Sequence, residues 1–138
     1  MKRMNLVRLI YASRFCESKF DTKELSRINH SSQKNNKISE LTGILVFGDD
    51  FFLQCLEGDR EEVSKTYHRI SQDPRHESVV ILSMEDAIRR EFSEWDMKCV
   101  ILTEANNNLI REFSTTSKFN PHKMHHKNSL ELMKALRK

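Results

Sequence analysis

Bulky apolar residues alternate with polar ones from Asn5 to Ala12 (NLVRLIYA), which predicts a first strand with Val7, Leu9 and Tyr11 on one face and Arg8 and Ile10 on the other. Asp21 with Glu24 three residues on is a capping pattern, and it opens a helix from about Thr22 to Asn36. Thr42 to Phe47 and Phe51 to Glu57 are apolar runs on either side of Gly48-Asp49-Asp50, the composition of a hairpin turn. Asp59 with Glu62 repeats the capping pattern and starts a second helix to about Gln72, which Asp73-Pro74 ends because proline cannot continue the hydrogen-bond ladder. Ser78 to Met84 and Met97 to Leu102 read as further strands, and the chain turns helical around Leu109 to Phe113 and Leu130 to Leu136.

The resulting order, β-α-β-β-α-β-β, predicts an α+β fold: a ferredoxin-like five-stranded sheet, mostly antiparallel, with two helices on one face. The other face is left bare. Leu130, Met133 and Leu136 recur at helical spacing and would let the C-terminal helical segment cover it.

Within this frame several polar residues point the wrong way for a plain core. Gln54 sits in Phe51-Phe52-Leu53-Gln54-Cys55-Leu56, and a primary amide buried there without partners costs about 1–3 kcal/mol. On the first helix Leu25, Ile28, Ser32 and Asn36 form one stripe toward the sheet that begins apolar and ends polar. On the second, Val63, Tyr67 and Ile70 share a side, while Arg69 and Asp73 lie a turn apart and could meet each other or one ligand. If the third strand lies beside the first, Tyr11 and Gln54 open into the gap between the helices. A phenol, amides, a hydroxyl and an Arg/Asp pair between isoleucines suit a flat polar heterocycle.

Composition narrows the picture. Cys16, Cys55 and Cys99 are odd in number and lack CxxC spacing, so they read as reduced thiols, and no metal site is expected from them or from His122, His125 and His126. There is no GxGxxG, no P-loop and no arrangement of nucleophile and base. No apolar stretch is long enough for a membrane helix or signal peptide, which makes the cytoplasm the expected location, with no membrane partner. The formal charge of +3 conceals a basic tail: the last 21 residues sum to +5 and the first 117 to −2. A solvated helix explains that tail better than nucleic-acid binding does.

Six segments in order, namely Leu9-Ile10-Tyr11-Ala12-Ser13, Ser31-Ser32-Gln33-Lys34-Asn35-Asn36, Leu41-Thr42-Gly43-Ile44-Leu45, Phe52-Leu53-Gln54-Cys55-Leu56-Glu57-Gly58, Tyr67-His68-Arg69-Ile70 with Asp73 and Arg75-His76, and Phe92-Ser93-Glu94-Trp95-Asp96-Met97, resemble the BLUF domain, a blue-light sensor that uses FAD. The resemblance runs from about Asn5 to Leu102. It implies that Tyr11 and Gln54 are the photoactive pair, bonded to each other and to the flavin N5/O4 edge. It also implies that Asn36, with Asn35 nearby, holds the pyrimidine edge, that Arg69 and Asp73 contact the other polar edge, and that Ile28 and Ile70 clamp the ring. Ser32, Trp95 and Met97 would form a switchable layer around Gln54, with Trp95 and Met97 relaying the signal. In the implied mechanism excitation of the flavin draws an electron and a proton from Tyr11, and recombination leaves the Gln54 amide rotated or tautomerised.

The implied organisation is a flavin-binding sensor over residues 1–102 and a C-terminal helical output segment over 103–138. With some 36 residues after the sensor and no room in them for a cyclase or phosphodiesterase, the expected output is a regulatory protein partner in trans, with a homo-oligomer as the assembly. No catalytic residues are expected. The competing readings are a flavin-binding or acylphosphatase-like enzyme of the same fold, with Arg69 or Asn36 acting on substrate, and a nucleic-acid binder using the tail.

Overall fold

The computed structural model describes residues 5–15, 22–114 and 118–137, leaving aside the side chains of 22, 24 and 25. The Asp21/Glu24 cap, Cys16 and the place of Leu25 on the helical stripe lie outside the described residues. Among the described residues the elements follow in the order β1 (Leu6–Phe15), α1 (Thr22–Ser39), β2 (Thr42–Gly48), β3 (Phe51–Asp59), α2 (Arg60–Ser71), β4 (His76–Asp86), β5 (Lys98–Ile101), a 3-10 turn (Glu104–Asn106), α3 (Asn107–Phe113), another 3-10 turn (Pro121–Lys123) and α4 (His126–Leu136). The strands form one sheet in the order β4-β1-β3-β2-β5. The β1/β3, β1/β4 and β2/β3 ladders are antiparallel, and β2/β5 is parallel. This is the expected α+β ferredoxin-like sheet with one added strand.

Alternation along β1 and β3 sorts side chains into two clusters, one on each face. The front cluster joins Val7, Leu9, Tyr11, Leu45, Phe52 and Leu56 to Ile28 of α1 and Val63 of α2. The rear cluster joins Ile10, Ile44, Val46, Leu53 and Cys55 to Ile110, Phe119, Met124, Leu132, Met133 and Leu136 of the C-terminal segment. Leu130 is only partly buried there, and Leu132, absent from the expected stripe, is fully buried.

Three local departures from expectation have physical reasons. β1 continues past Ala12 to Phe15, despite the polar Ser13 and Arg14, because it lies between β3 and β4 and both ladders go on: Arg14 pairs with Phe51 and with Glu77. The turn expected at Gly48-Asp49-Asp50 closes on Asp49 and Asp50, both at positive φ (49° and 70°), the geometry of a two-residue primed turn. Asp49 Oδ2 also accepts from Phe119 N at 3.1 Å, which ties the turn to the C-terminal segment. At α2 the Asp59 side chain accepts from Glu61 N at 3.3 Å and from Asn5 N at 3.1 Å, so one carboxylate caps α2 and holds the residue before β1, while Glu62 pairs with Lys65 at 3.8 Å instead of completing a capping box.

Candidate functional site

Between α1 and α2, above the middle of the sheet, lies a cleft of about 240 Å³. Its floor is Tyr11, Leu45 and Gln54. Ile28, Ser31, Ser32, Asn35 and Asn36 of α1 form one wall, Thr66, Arg69 and Ile70 of α2 the other, and Asp73, Arg75 and His76 close the end. Every residue expected to hold a ligand therefore borders one space.

Register brings the central pair together. Tyr11 and Gln54 are direct partners across the β1/β3 ladder, so both side chains rise from the same point of the front face. The Tyr11 hydroxyl donates to Gln54 Oε1. The Gln54 Nε2 donates to the Met97 sulfur at 3.4 Å. A thioether is a weak acceptor, and an amide nitrogen carries two N–H groups. Gln54 is 2% exposed and lines the cleft, so this soft partner leaves its amide with donor capacity for a group bound there.

Burial, then Tyr67 and Asp73 nearby, raise the Tyr11 pKa far above the ordinary tyrosine range. The phenol is thus a fixed donor in the resting protein. The Tyr67 ring meets Tyr11 edge-on, with centroids 5.6 Å apart.

Asn36 uses its Nδ2 to hold Asp96 O at 2.9 Å, which leaves its carbonyl oxygen as the group it can offer to the cleft. Gln33 likewise holds Met97 O at 3.1 Å. Asp73 does not meet Arg69. Its carboxylate accepts from the Arg75 side chain, the shortest contact 2.6 Å from Nη2, and from Arg75 N at 2.9 Å, because the turn after α2 folds Arg75 back over it. Burial alone would raise the Asp73 pKa, but those hydrogen bonds and the Arg75 charge outweigh it and hold the group below its usual value. Arg69 is exposed at the rim, facing the same space.

The two relay candidates part company. Met97 joins the front cluster and touches Gln54. Trp95 packs against the rear cluster, with Lys98 Nζ 4.7 Å above its ring. Alternation places them on one side of an ideal strand, but both precede β5, where the chain is irregular and alternation does not apply.

His76 and Thr66 are cleft residues that carry no expected role. His76 Nδ1 lies 3.0 Å from Ser13 Oγ, its ring tilts over Phe52, and burial lowers its pKa to about 4, so the imidazole is neutral. Thr66, one turn before Ile70 and three after Val63, falls between two inward positions, and that helical spacing was the available signal. The histidines of the tail go elsewhere: His122 Nε2 donates to Ser78 O at 2.7 Å and His126 lies 3.8 Å from Glu85. Among the described residues no cluster of metal-ligating groups forms, and no helix is long and apolar enough to cross a membrane.

What this cleft can bind follows from its groups. Donors and acceptors for a ring edge (Tyr11, Gln54, Asn36, Ser32) line the cleft together with Ile28 of α1 and Ile70 of α2, apolar side chains on the two walls that can cover the faces of a planar ring. The incompletely satisfied amide of Gln54 and the free carbonyl oxygen of Asn36 match a heterocycle edge that presents both carbonyl oxygens and ring nitrogens, as an isoalloxazine does.

Comparison with known proteins agrees. The sequence profile described as "Sensors of blue-light using FAD" matches residues 6–98. The photoactivated adenylate cyclase subunit alpha of Euglena gracilis is 34% identical over 94 residues, 67% of this chain and 9% of that protein. The blue light- and temperature-regulated antirepressor BluF of Escherichia coli (strain K12) is 36% identical over 93 residues, 67% of this chain and 23% of that one. The chain thus spans under a quarter of the length of either curated relative. Among solved structures, BlsA in its photo-activated state superposes with a TM-score of 0.88 at 28% identity, covering 95% of this chain and 94% of the other. The dark state of BlrB gives a TM-score of 0.79 at 24% identity, covering 96% and 98%, and shows the fold alone. The chain belongs to the BLUF family, the sensors of blue light that use FAD.

Proposed function

We propose that this chain is a light-driven switch in which the Gln54 side chain changes its hydrogen-bond partners, and that the change is passed to a regulatory protein partner in trans. The observation that supports it best is the arrangement Tyr11 Oη to Gln54 Oε1 with Gln54 Nε2 to Met97 Sδ. An amide has a donor end and an acceptor end. Turning it end for end sets its nitrogen toward the Tyr11 oxygen and its oxygen toward the sulfur, so every bond around Gln54 must reorganise together. Tyr11 is held as a donor by burial, and it is the group next to Gln54 that can give up a proton and an electron. Bound FAD supplies blue-light absorption and the electron acceptor. Asn36, Asn35 and Ser32 would hold its ring edge, Arg69 and Asp73 its other polar side, and Ile28 and Ile70 its faces. Met97 is the contact that feels the amide turn; Trp95, on the rear, would feel it through the segment the two share.

The sensor unit is residues 1–102 and the output segment 103–138, by this reading. The segment's packing on the rear face against β3, whose front carries Gln54, supports that division. That the curated relatives include an antirepressor and cyclase subunits shows one kind of sensor joined to different outputs, and a homo-oligomer in the cytoplasm is the assembly proposed here. A visible spectrum of the FAD-loaded chain before and after blue light tests the reading: a small reversible red shift is expected, lost in Gln54→Leu with flavin still bound. A shift that survives Gln54→Leu would overturn it.

A further inference from the structure

Glu57 is the single fully buried acidic side chain among the described residues, and it lies outside the cleft. Three positions after Gln54 on β3, it points to the rear, where both carboxylate oxygens are filled. Arg8 Nε donates to Oε2 at 2.9 Å. Two consecutive backbone amides of one segment follow, Glu91 N to Oε2 at 2.7 Å and Phe92 N to Oε1 at 2.8 Å. Thr42 Oγ1 lies 3.4 Å from Oε1, and Arg90 Nη1 donates to the Glu57 carbonyl at 3.0 Å. Hydrogen bonds to an ionised group are short and about twice as strong as neutral ones. Residues 90–92 are therefore fastened to the end of β3.

From that fastening the chain runs without regular structure to Met97. Its far end is held by Gly43 N to Trp95 O at 3.2 Å, Asn36 Nδ2 to Asp96 O and Gln33 Nε2 to Met97 O. The approach is close: a Cβ on Gly43 would stand 1.9 Å from Cys55 O and 3.4 Å from Met97 Cε. Inside the segment, Phe92 is fully buried in the rear cluster, Trp95 packs against that cluster, and Trp95 N donates to Phe92 O at 3.3 Å. The charged fastening, at the Glu91 end, is Glu57.

We propose that Glu57 is a positioning residue for the switch: by pinning Glu91 and Phe92 it sets the depth at which the Met97 sulfur meets Gln54. It thereby biases which end of the Gln54 amide faces Tyr11 in the dark. The inference rests on the switch reading above. It also gives the signal an exit, because Arg137, just past α4, clasps the same segment through Nη1 to Glu91 O at 2.6 Å and to Glu91 Oε2 at 3.1 Å, and its own carbonyl accepts from Lys98 Nζ at 2.7 Å. The second of these contacts, from Arg137 Nη1 to the Glu91 carboxylate, also holds the Glu91 pKa below its ordinary value.

A double-mutant cycle tests it. Glu57→Gln keeps the shape but turns one oxygen into a donor facing a backbone N–H. With FAD bound, it should change the dark-recovery rate about ten-fold, the size expected of residues coupled through a shared backbone shift. In a Met97→Leu background, where the sulfur is gone, the same change should alter recovery by less than about two-fold. In the flavin-free protein, Glu57→Gln should speed amide exchange at Glu91 and Phe92 and move the Met97 methyl resonance. Equal effects in both backgrounds, or recovery unchanged in the parent background, would overturn the role of Glu57. If Glu57→Gln fails to take up flavin, Arg90→Gln, which loosens the same fastening without stranding the Arg8 charge, is read in the same cycle against the same outcomes. The Gln54→Leu control separates the two failures, since a light shift persisting there sinks the switch itself, whereas its loss there with a null cycle sinks only Glu57.

Discussion

On the rear of the sheet Ile10, Ile44, Val46, Leu53 and Cys55 meet a largely apolar layer from the C-terminal segment, while on the front the same strands present Tyr11 and Gln54 to a gap between two helices. One strand serves both. Along β3, Leu53 and Cys55 face the rear and Gln54, between them, faces the front. The rear gains stability from area removed from water, at about 25 cal/mol per Å². The front gives up part of that gain to keep polar groups incompletely paired, a common trade at functional sites. The lesson is that the packed apolar layer and the polar cleft are assigned to opposite faces, joined by the strands they share and by the segment 91–97.

That division can be broken by experiment, and the largest effect should come from the rear. Leu132→Ala empties a fully buried position and is expected to cost about 2–5 kcal/mol of unfolding free energy, measured by urea titration, while the folded fraction keeps its light-induced shift. A lost shift at full flavin occupancy would show that the faces are not separable.

The next effect is the pH dependence set by His76. Its pKa falls from 6.5 to about 4 on burial, so the unfolded chain takes up a proton near 6.5 and the folded one only near 4. The folded pKa is the depressed one; the stabilisation is therefore complete above pH 6.5, drains away as pH falls to about 4 and is absent below. Its full size is about 3 kcal/mol. His76→Asn should flatten the denaturation midpoint between pH 6.5 and 4, and an unchanged slope would remove His76 as the cause.

Smallest in stability but largest in function is Tyr11→Phe. Without the hydroxyl, Gln54 Oε1 loses its donor, at about 1–2 kcal/mol. The reversible shift should vanish while flavin binding remains, and a retained shift would sharpen the division by moving the reacting donor away from Tyr11.

How much of this could be read from the chain depended on periodicity. The sheet, both front helices and the rear cap followed from alternation and three-four spacing, and the cleft residues of α1 (Ile28, Ser32, Asn36) fell on one stripe for the same reason. Asp73 borders the cleft, and its carboxylate is taken by Arg75 and not by Arg69, because Arg75 reaches it through a turn whose path spacing does not encode. Trp95 and Met97 could not be assigned to faces, since the residues before β5 have no regular period. Glu57 looked like the last residue of an apolar strand; that it anchors a loop more than thirty residues on is tertiary information.

The short β5 has a consequence for how the molecule breathes. Its four residues pair only with β2, in parallel, and none of them is fully buried. Protection against hydrogen exchange tracks such shallow burial, so this strip should open on its own long before the central ladders part. A receptor whose message left through that ribbon would need no large hinge: a modest change in how often the ribbon lets go would be legible to whatever rests against it.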